Sequence, residues 1–221
     1  MISEEIHRIT EQLPVGVRLV AVSKYHPSEA IREAYVAGQR IFGESHAQEL
    51  VRKQEELASL EGLEWHFIGH LQTNKVKYMA PYVSLIHAVD SSHLLREINK
   101  QAQKAGRIIP CLLQLHVAEE ETKFGFTPDE ARNYVEQGDW QELEHVRLTG
   151  VMAMATNTDD TRRIRDDFRK ARLFFEEMRR DFFPQSFTEL SMGMSDDWHI
   201  AVDEGSTLIR LGTCIFGERQ Y

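Results

Sequence analysis

A lysine stands directly behind a short apolar run near the start of the chain. Residues 19–22 read Leu-Val-Ala-Val, and Ser23 and Lys24 follow before His26 and Pro27 break the pattern. Such a run is typical of a strand buried on both faces. In parallel α/β folds, ligands bind at the carboxyl ends of the strands. Lys24 is therefore a Schiff-base candidate; the alternative is a rim lysine whose stem packs on the core while its amine reaches water.

Glycine and hydroxyl residues cluster near the other end of the chain. The sequence reads LSMGMS up to Ser195 and IRLGT up to Thr213. In barrels, the loops after the last two strands often bind phosphate through backbone amides and a helix N-terminus. Ser195, Gly212 and Thr213 have the chemistry for such a cradle. Asp196 and Asp197 suit a helix N-terminus but would repel a phosphate unless they point away. The alternative is an ordinary turn with its helix cap.

Arg210 lies inside the last apolar run, two residues before Gly212. Residues spaced in this way on a strand share a face, and a buried arginine needs a partner. One candidate is a structural ion pair with Asp203 or Glu44. The other is a ligand, because a lysine, a phosphate cradle and an arginine on one rim match pyridoxal 5′-phosphate. The aldehyde would join Lys24, the phosphate would lie in the cradle, and the pyridine nitrogen would face Arg210.

Composition limits the class of protein. The chain has 221 residues, 42% of them hydrophobic, and a net charge of −9, which disfavours a general binder of nucleic acid or acidic membranes. No apolar run approaches the ~20 residues of a membrane span, and the N-terminus lacks the apolar segment of a signal peptide. Cys111 and Cys214 lie in apolar runs and are expected to be buried free thiols. His66 and His70 have no evident third partner, so we expect no metal site. We therefore expect a cytoplasmic protein.

Strand-like runs alternate with helical patterns along the whole chain. After an amphipathic helix over residues 2–13, strands are predicted at 19–22, 40–42, 64–68, 84–89, 108–117, 148–154, 187–192 and 208–216. Strands separated by helices imply right-handed parallel units. The count of eight, with no glycine-rich dinucleotide motif after the first strand, favours a (β/α)8 TIM-type barrel with an N-terminal helix over an open doubly wound sheet. Without a linker or repeat, one domain over 1–221 is expected.

Three helices carry further expectations. A charged helix is predicted over residues 46–60, and Thr127-Pro-Asp-Glu130 is a capping box that begins another. A long helix over 159–182 has one apolar stripe and an opposite face of Arg, Asp and Glu, which we expect to be a solvated surface. No sustained apolar heptad is visible, so we expect a monomer.

Motifs along nearly the whole chain resemble the pyridoxal phosphate homeostasis protein family, whose fold resembles the N-terminal barrel of alanine racemase. The matching segments are AVSK at 21–24, AGQRIFGE at 37–44, WHFIGHLQTNK at 65–75, LSMGMSDD at 190–197 and GSTLIRLGTCIFGER at 205–219, with looser matches in KFGF at 123–126 and GVMAMAT at 150–156. The resemblance implies that Lys24 forms the Schiff base, that Ser195, Gly212 and Thr213 hold the phosphate, and that Arg210 faces the pyridine nitrogen.

One segment departs from the family pattern. Most members have Glu-Asn-Tyr where this chain has Glu44-Ser45-His46. Ser45 is shorter than asparagine and offers one hydroxyl, and we expect it to contact the cofactor in place of the amide. Lys123, in an acidic loop, is a candidate second transfer site.

Three functions compete. The resemblance implies a protein that binds, buffers and delivers pyridoxal phosphate, with recipient apo-enzymes as partners and no catalytic residue of its own. A pyridoxal phosphate-dependent racemase or lyase is the alternative, although the chain ends before a second domain and Arg210 would weaken the ring as an electron sink. A Schiff-base aldolase is the third, but no paired carboxylate is evident beside Lys24. The acids nearest the motifs are Asp196, Asp197 and Glu218.

Overall fold

The fold is a closed barrel. The structure, a computed structural model, describes residues 1–119 and 124–217. Within these ranges eight parallel strands follow one another around the ring in chain order, and the first strand closes it by pairing with the last. The predicted (β/α)8 barrel is therefore confirmed, and the open doubly wound sheet is excluded.

The strands are β1 Arg18–Val22, β2 Ile41–Glu44, β3 Glu64–Phe67, β4 Leu85–Val89, β5 Ile109–Leu115, β6 Val146–Ala153, β7 Glu189–Ser191 and β8 Leu208–Leu211. The helices are α1 Ile2–Gln12, α2 Ser28–Val36, α3 Ala47–Glu56, α4 Val76–Met79, α5 Ser92–Lys104, α6 Pro128–Gln137, α7 Thr161–Asp181, α8 Trp198–Asp203 and α9 Thr213–Phe216. No helix within the described part of the chain has the length and apolar character that crossing a bilayer requires.

Apolar side chains pack on both faces of the strands. The outward side chains join the helices in the main core, whereas Val20, Leu112 and Met152 belong to a smaller cluster inside the barrel. His87 on β4 contacts Ser191 on β7, and these strands are not neighbours. The two side chains therefore meet in the barrel interior, which is polar at this level.

The N-terminal helix packs as its apolar stripe predicts. Ile6 and Ile9 of α1 are fully buried, and Ile2 and Leu13 pack against the same core. Helix α1 contacts both α2 and α9. It therefore covers the part of the barrel where β8 meets β1, a position that the four-residue α9 is too short to cover alone.

The last strand is shorter than predicted. The prediction placed residues 208–216 in one strand, but β8 ends at Leu211, opposite Ala21, and the chain turns into α9 at Gly212. Ile215 is buried in the core, so an apolar run that resembles a strand is helical here. Cys214 consequently lies half-buried on a helix, while Cys111 is buried in β5 as expected; both are free thiols.

The charged face of α7 is not simply a solvated surface. Asp167 is fully buried and accepts hydrogen bonds from the backbone N–H and hydroxyl of Thr156, at 3.0 and 2.6 Å. Arg165 and Arg169 each donate to the buried Glu204 at 3.2 Å. The predicted solvated surface therefore describes this face only in part, because some of its charges bind α7 to α8 and to the loop after β6.

Other boundaries also differ from the prediction, among them those of β2 and α3. Strand β2 runs to Glu44 rather than ending at Phe42, since Gly43 and Glu44 pair with His66 and Phe67 of β3. Helix α3 ends at Glu56 rather than at residue 60. The first of these differences matters for the site, because it puts the Glu44 carboxylate at the end of a buried strand.

Candidate cofactor site

Lys24 lies at the carboxyl end of β1, as predicted. The chain leaves the strand at Val22, and the N–H of His26 donates to the carbonyl of Ser23 at 3.0 Å, which closes a tight turn around the lysine. Tyr25 has a φ of 67°, the left-handed region that a residue with a side chain enters at a cost of about 1–2 kcal/mol. The turn must therefore be held by surrounding contacts.

A large cavity opens beside this turn. It has a volume of about 770 Å³, and its lining comes from the ends of β1, β2 and β3, from β5 and β6, and from Phe124. Lys24 and Ser45 both line it, and so does His46, which follows Ser45. Gly69 also lines it, and a Cβ there would lie 2.5 Å from the carbonyl oxygen of Ser45. Glycine therefore allows the end of β3 to approach Ser45.

The predicted phosphate residues form a second group at the same end of the barrel. The Ser195 hydroxyl lies 3.8 Å from the Cys214 thiol, next to Thr213 in the first turn of α9. Gly212 lies against the end of β1, because a Cβ there would be 3.1 Å from the carbonyl oxygen of Val22. The structure thus brings Gly212 against Val22, two residues before Lys24 in the chain, with Thr213 and Ser195 beside it, although none of the three lines the large cavity.

The acids that follow Ser195 do not crowd this group equally. Asp197 is half-buried, and its carboxylate accepts the backbone N–H of Met194 at 2.6 Å, which closes the turn before α8. Burial raises the pKa of the Asp197 carboxyl. Asp196 is exposed. Of the two acids, Asp197 is therefore hydrogen-bonded within its own loop.

Arg210 points into the barrel and makes no ion pair with Asp203 or Glu44, so the structural pair that the sequence suggested is wrong. Its guanidinium donates to the Ser191 hydroxyl at 2.6 Å and to the Ala153 carbonyl at 3.1 Å. Burial lowers the pKa of the guanidinium to about 10, although the negative charge of Asp197 acts to raise it. Arg210 therefore stays protonated at neutral pH. Within residues 1–119 and 124–217, no carboxylate forms an ion pair with this buried cation.

Two buried histidines extend the contacts of Arg210 across the barrel. Ser191 Oγ lies 2.9 Å from His87 Nδ1, and His87 Nε2 lies 2.9 Å from His66 Nδ1. Burial lowers the pKa of His66 to about 3 and that of His87 well below its usual range, so both rings are neutral. Because Arg210 donates to Ser191, the serine hydroxyl is free to donate to His87. The sequence did not reveal this chain of contacts from Arg210 to His66; the only signal was a histidine inside each of two apolar strands.

The structure separates the histidines that could have suggested a metal. His66 lies inside the barrel, whereas His70 is on the rim, 2.9 Å from Asp90 and stacked on Phe124 at 4.0 Å between ring centroids. Among the residues that the structure describes, no group of three His, Cys, Asp or Glu side chains could hold a metal ion. Lys123, the candidate second transfer site, lies outside the described residues.

A buried lysine that the sequence did not reveal lies beneath the Lys24 turn. Lys53 of α3 is fully buried, and its ammonium donates to Glu44 and Glu49 at 2.7 Å each. Glu44 also accepts the Ser23 hydroxyl, and Glu49 accepts the Tyr25 N–H. Two carboxylates therefore bind the residues on either side of Lys24, where the sequence showed no evident paired carboxylate.

Burial dominates the electrostatics of this cluster. It raises the pKa of the Glu44 carboxyl from 4.5 to about 7, although Lys53 and Ser23 oppose the change. The second oxygen, Glu44 Oε2, is buried and has no hydrogen-bond partner in the described structure. Glu44 is thus partly protonated near neutral pH.

Comparison with known proteins places this chain in a family. The family described as "Alanine racemase, N-terminal domain" matches residues 1–220. The "Pyridoxal phosphate homeostasis protein" of Aquifex aeolicus is 40% identical over 221 residues, which is 99% of this chain and 95% of that protein. The protein of the same name from Mus musculus is 38% identical over 232 residues, covering 100% of this chain and 84% of its own.

Solved structures of related proteins also resemble this chain. PipY of Synechococcus elongatus PCC7942 is 40% identical and covers 98% of this chain and 100% of its own; it was solved without PLP and with PLP bound, with TM-scores of 0.93 and 0.90. Alanine racemase from E. faecalis, at 19% identity, shares the fold with a TM-score of 0.76 over 98% of this chain and 57% of that chain. The barrel is thus of the class formed by the alanine racemase N-terminal domain. Within that class, the chain belongs to the pyridoxal phosphate homeostasis protein family.

Proposed function

We propose that this protein binds pyridoxal 5′-phosphate as a Schiff base on Lys24. The observation that carries the proposal is the position of Lys24, which lies on a cavity wall two residues after Val22, the strand residue that Gly212 approaches. PipY, at 40% identity over 98% of this chain, has a structure with PLP bound, which supports the same ligand here.

The residues around Lys24 fit this group. Ser195 and Thr213 would hold the phosphate with their hydroxyls, and Gly212 leaves beside the end of β1 a space that a Cβ would fill. Arg210 would face the pyridine nitrogen. It is a buried cation bonded only by neutral groups among the described residues, so an electron-rich ring nitrogen suits it. Ser45, which lines the cavity, would contact the cofactor.

We propose further that the protein buffers and delivers the cofactor without a robust reaction of its own. When bound, pyridoxal phosphate supplies an aldehyde that condenses with amines and a ring that withdraws electrons. A guanidinium with a pKa of about 10 does not give its proton to the ring nitrogen at neutral pH, whereas a protonated ring nitrogen strengthens electron withdrawal. Arg210 therefore favours retention of the cofactor over carbanion chemistry, and recipient apo-enzymes are the proposed partners.

Titration with the cofactor tests the first part. Addition of pyridoxal phosphate to the purified protein should give a visible absorbance band that Lys24→Ala lacks. An identical band in Lys24→Ala, or none in the wild type, would remove the proposal. Incubation of the loaded protein with L-amino acids in deuterated water tests the second part. Exchange of the Cα hydrogen well above that caused by free pyridoxal phosphate would favour the racemase or lyase alternative.

A further inference from the structure

The backbone on both sides of Lys24 is bonded to one buried ionic cluster. The carbonyl of Ser23 accepts a hydrogen bond from the Lys53 ammonium at 2.7 Å, and the hydroxyl of Ser23 donates to Glu44 at 2.6 Å. On the other side, the N–H of Tyr25 donates to Glu49 at 2.7 Å. We call Lys53, Glu44 and Glu49 the Lys53 cluster. It engages the residues immediately before and after the lysine proposed to bind the cofactor.

All three hydrogen-bond donors of the Lys53 ammonium have an acceptor. An ammonium has three donors, and those of Lys53 reach the Ser23 carbonyl, Glu44 and Glu49, each at 2.7 Å. The side chain is fully buried, so its amine is not available to react with a ligand in the cavity. Removal of charged groups from water is unfavourable, and apolar residues of similar volume often stabilise a fold as well or better. Packing alone therefore does not account for this cluster.

The Lys53 cluster binds a strained segment of backbone, which would relax without surrounding contacts. Tyr25 has a φ of 67°, in the left-handed region, and its side chain also meets His46 at 5.2 Å between ring centroids. Strained residues of this kind persist where surrounding contacts fix them, and they concentrate at functional sites. Here the bond from the Tyr25 N–H to Glu49 fixes the strained residue, and Lys53 fixes Glu49 in turn.

We propose that Lys53, acting through Glu44 and Glu49, positions Lys24 for Schiff-base formation. The inference rests on the proposed function and extends it to residues that do not touch the cofactor. A lysine amine must approach the aldehyde carbon along a restricted path, and a displacement of about 1 Å can slow a reaction by about a hundredfold. The Lys53 cluster sets where the Lys24 backbone lies relative to the cavity, so its loss should slow bond formation while the loops of β7 and β8 keep their hold on the phosphate.

A matched pair of variants at Glu49 tests this. Glu49→Ala removes the acceptor of the Tyr25 N–H, whereas Glu49→Gln keeps a carbonyl oxygen of the same reach. Glu49 is partly exposed, so both variants should fold more readily than a change at the fully buried Lys53. Lys53→Met, which preserves length and removes all three donors, is the third variant. If Lys53→Met does not fold, the Glu49 pair decides the question.

Two probes separate positioning from a general structural role. The rate of Schiff-base formation is measured from the absorbance band after mixing with pyridoxal phosphate, and non-covalent binding is measured with pyridoxine 5′-phosphate, which has no aldehyde. Glu49→Ala and Lys53→Met should slow Schiff-base formation by roughly tenfold to a hundredfold with unchanged affinity for pyridoxine 5′-phosphate, and Glu49→Gln should restore the rate. A wild-type rate in Glu49→Ala, or an equal loss with both probes, would overturn the inference. Absence of a Schiff base in the wild type would instead remove the proposed function.

Discussion

Glu44 should make the stability of this protein depend on pH in the direction opposite to that of an ordinary paired carboxylate. An unfolded chain releases the glutamate proton near pH 4.5, whereas burial raises the pKa of Glu44 in the folded protein to about 7. Between these values the folded state binds more protons than the unfolded state. Because stability falls with rising pH wherever the folded state holds the extra proton, Glu44 should lower the free energy of unfolding progressively from about pH 4.5 to pH 7.

The size of the effect follows from the shift. One pKa unit corresponds to about 1.4 kcal/mol, so a change from 4.5 to about 7 amounts to about 3 kcal/mol across the window. Glu44→Gln removes the titration and keeps an oxygen that can accept from Lys53 and Ser23. The free energy of unfolding of Glu44→Gln, relative to wild type, should therefore rise by about 3 kcal/mol from pH 4.5 to pH 8.

Urea unfolding of both proteins at a series of pH values measures this difference. Other titrating groups, including the buried histidines, act in both proteins, so they largely cancel when the two curves are subtracted. A difference that stays flat, or one in which the wild type gains on the variant as pH rises, would show that the pKa of Glu44 is not raised in the folded protein. The second result would mean that the bond to Lys53 outweighs burial and that Glu44 is ionised at all working pH values.

Three further outcomes follow from the structure. His66, with a pKa of about 3, stays neutral while the unfolded chain protonates below pH 6.5, so acid should destabilise the wild type more than His66→Gln, by about 1.4 kcal/mol per pH unit in urea unfolding; parallel curves would contradict this. Asp167→Ala leaves the half-buried donors of Thr156 without this acceptor and should cost about 1–3 kcal/mol of unfolding free energy, with Asp167→Asn costing less. Gly212→Ala puts a Cβ 3.1 Å from the Val22 carbonyl oxygen, so calorimetric affinity for pyridoxal phosphate should fall more than the melting temperature, and the reverse would place the phosphate elsewhere.

The architecture could be predicted because its signals are local. Apolar runs buried on both faces gave the barrel strands, and the Thr127–Glu130 capping box begins α6 as expected. The last strand was predicted too long because residues 213–216 are apolar enough for a strand or a buried helix. In the structure, the pairing of β8 with β1 ends at Leu211 and Ala21, and the chain becomes helical after it.

The supporting groups of the site could not be predicted, because they depend on contacts between distant segments. Lys53 lies in a helix rich in charge, and nothing in its neighbours indicates that it is fully buried against Glu44. Arg210 was recognised as a buried arginine, but its partners come from β6 and β7 and are a carbonyl and a hydroxyl rather than a carboxylate. Pairings of this kind are set by the closure of the barrel.

Chemical trapping of the bound cofactor determines which lysine carries it. Borohydride reduction of the protein loaded with pyridoxal phosphate makes the Schiff base permanent, and mass spectrometry of its peptides then identifies the modified lysine. Lys24 and Lys75 both line the large cavity, so each could be reached by an aldehyde bound there. We predict stoichiometric modification of Lys24 alone. Modification of Lys75 or another lysine in its place, or a cofactor that stays bound without becoming attached, would contradict it.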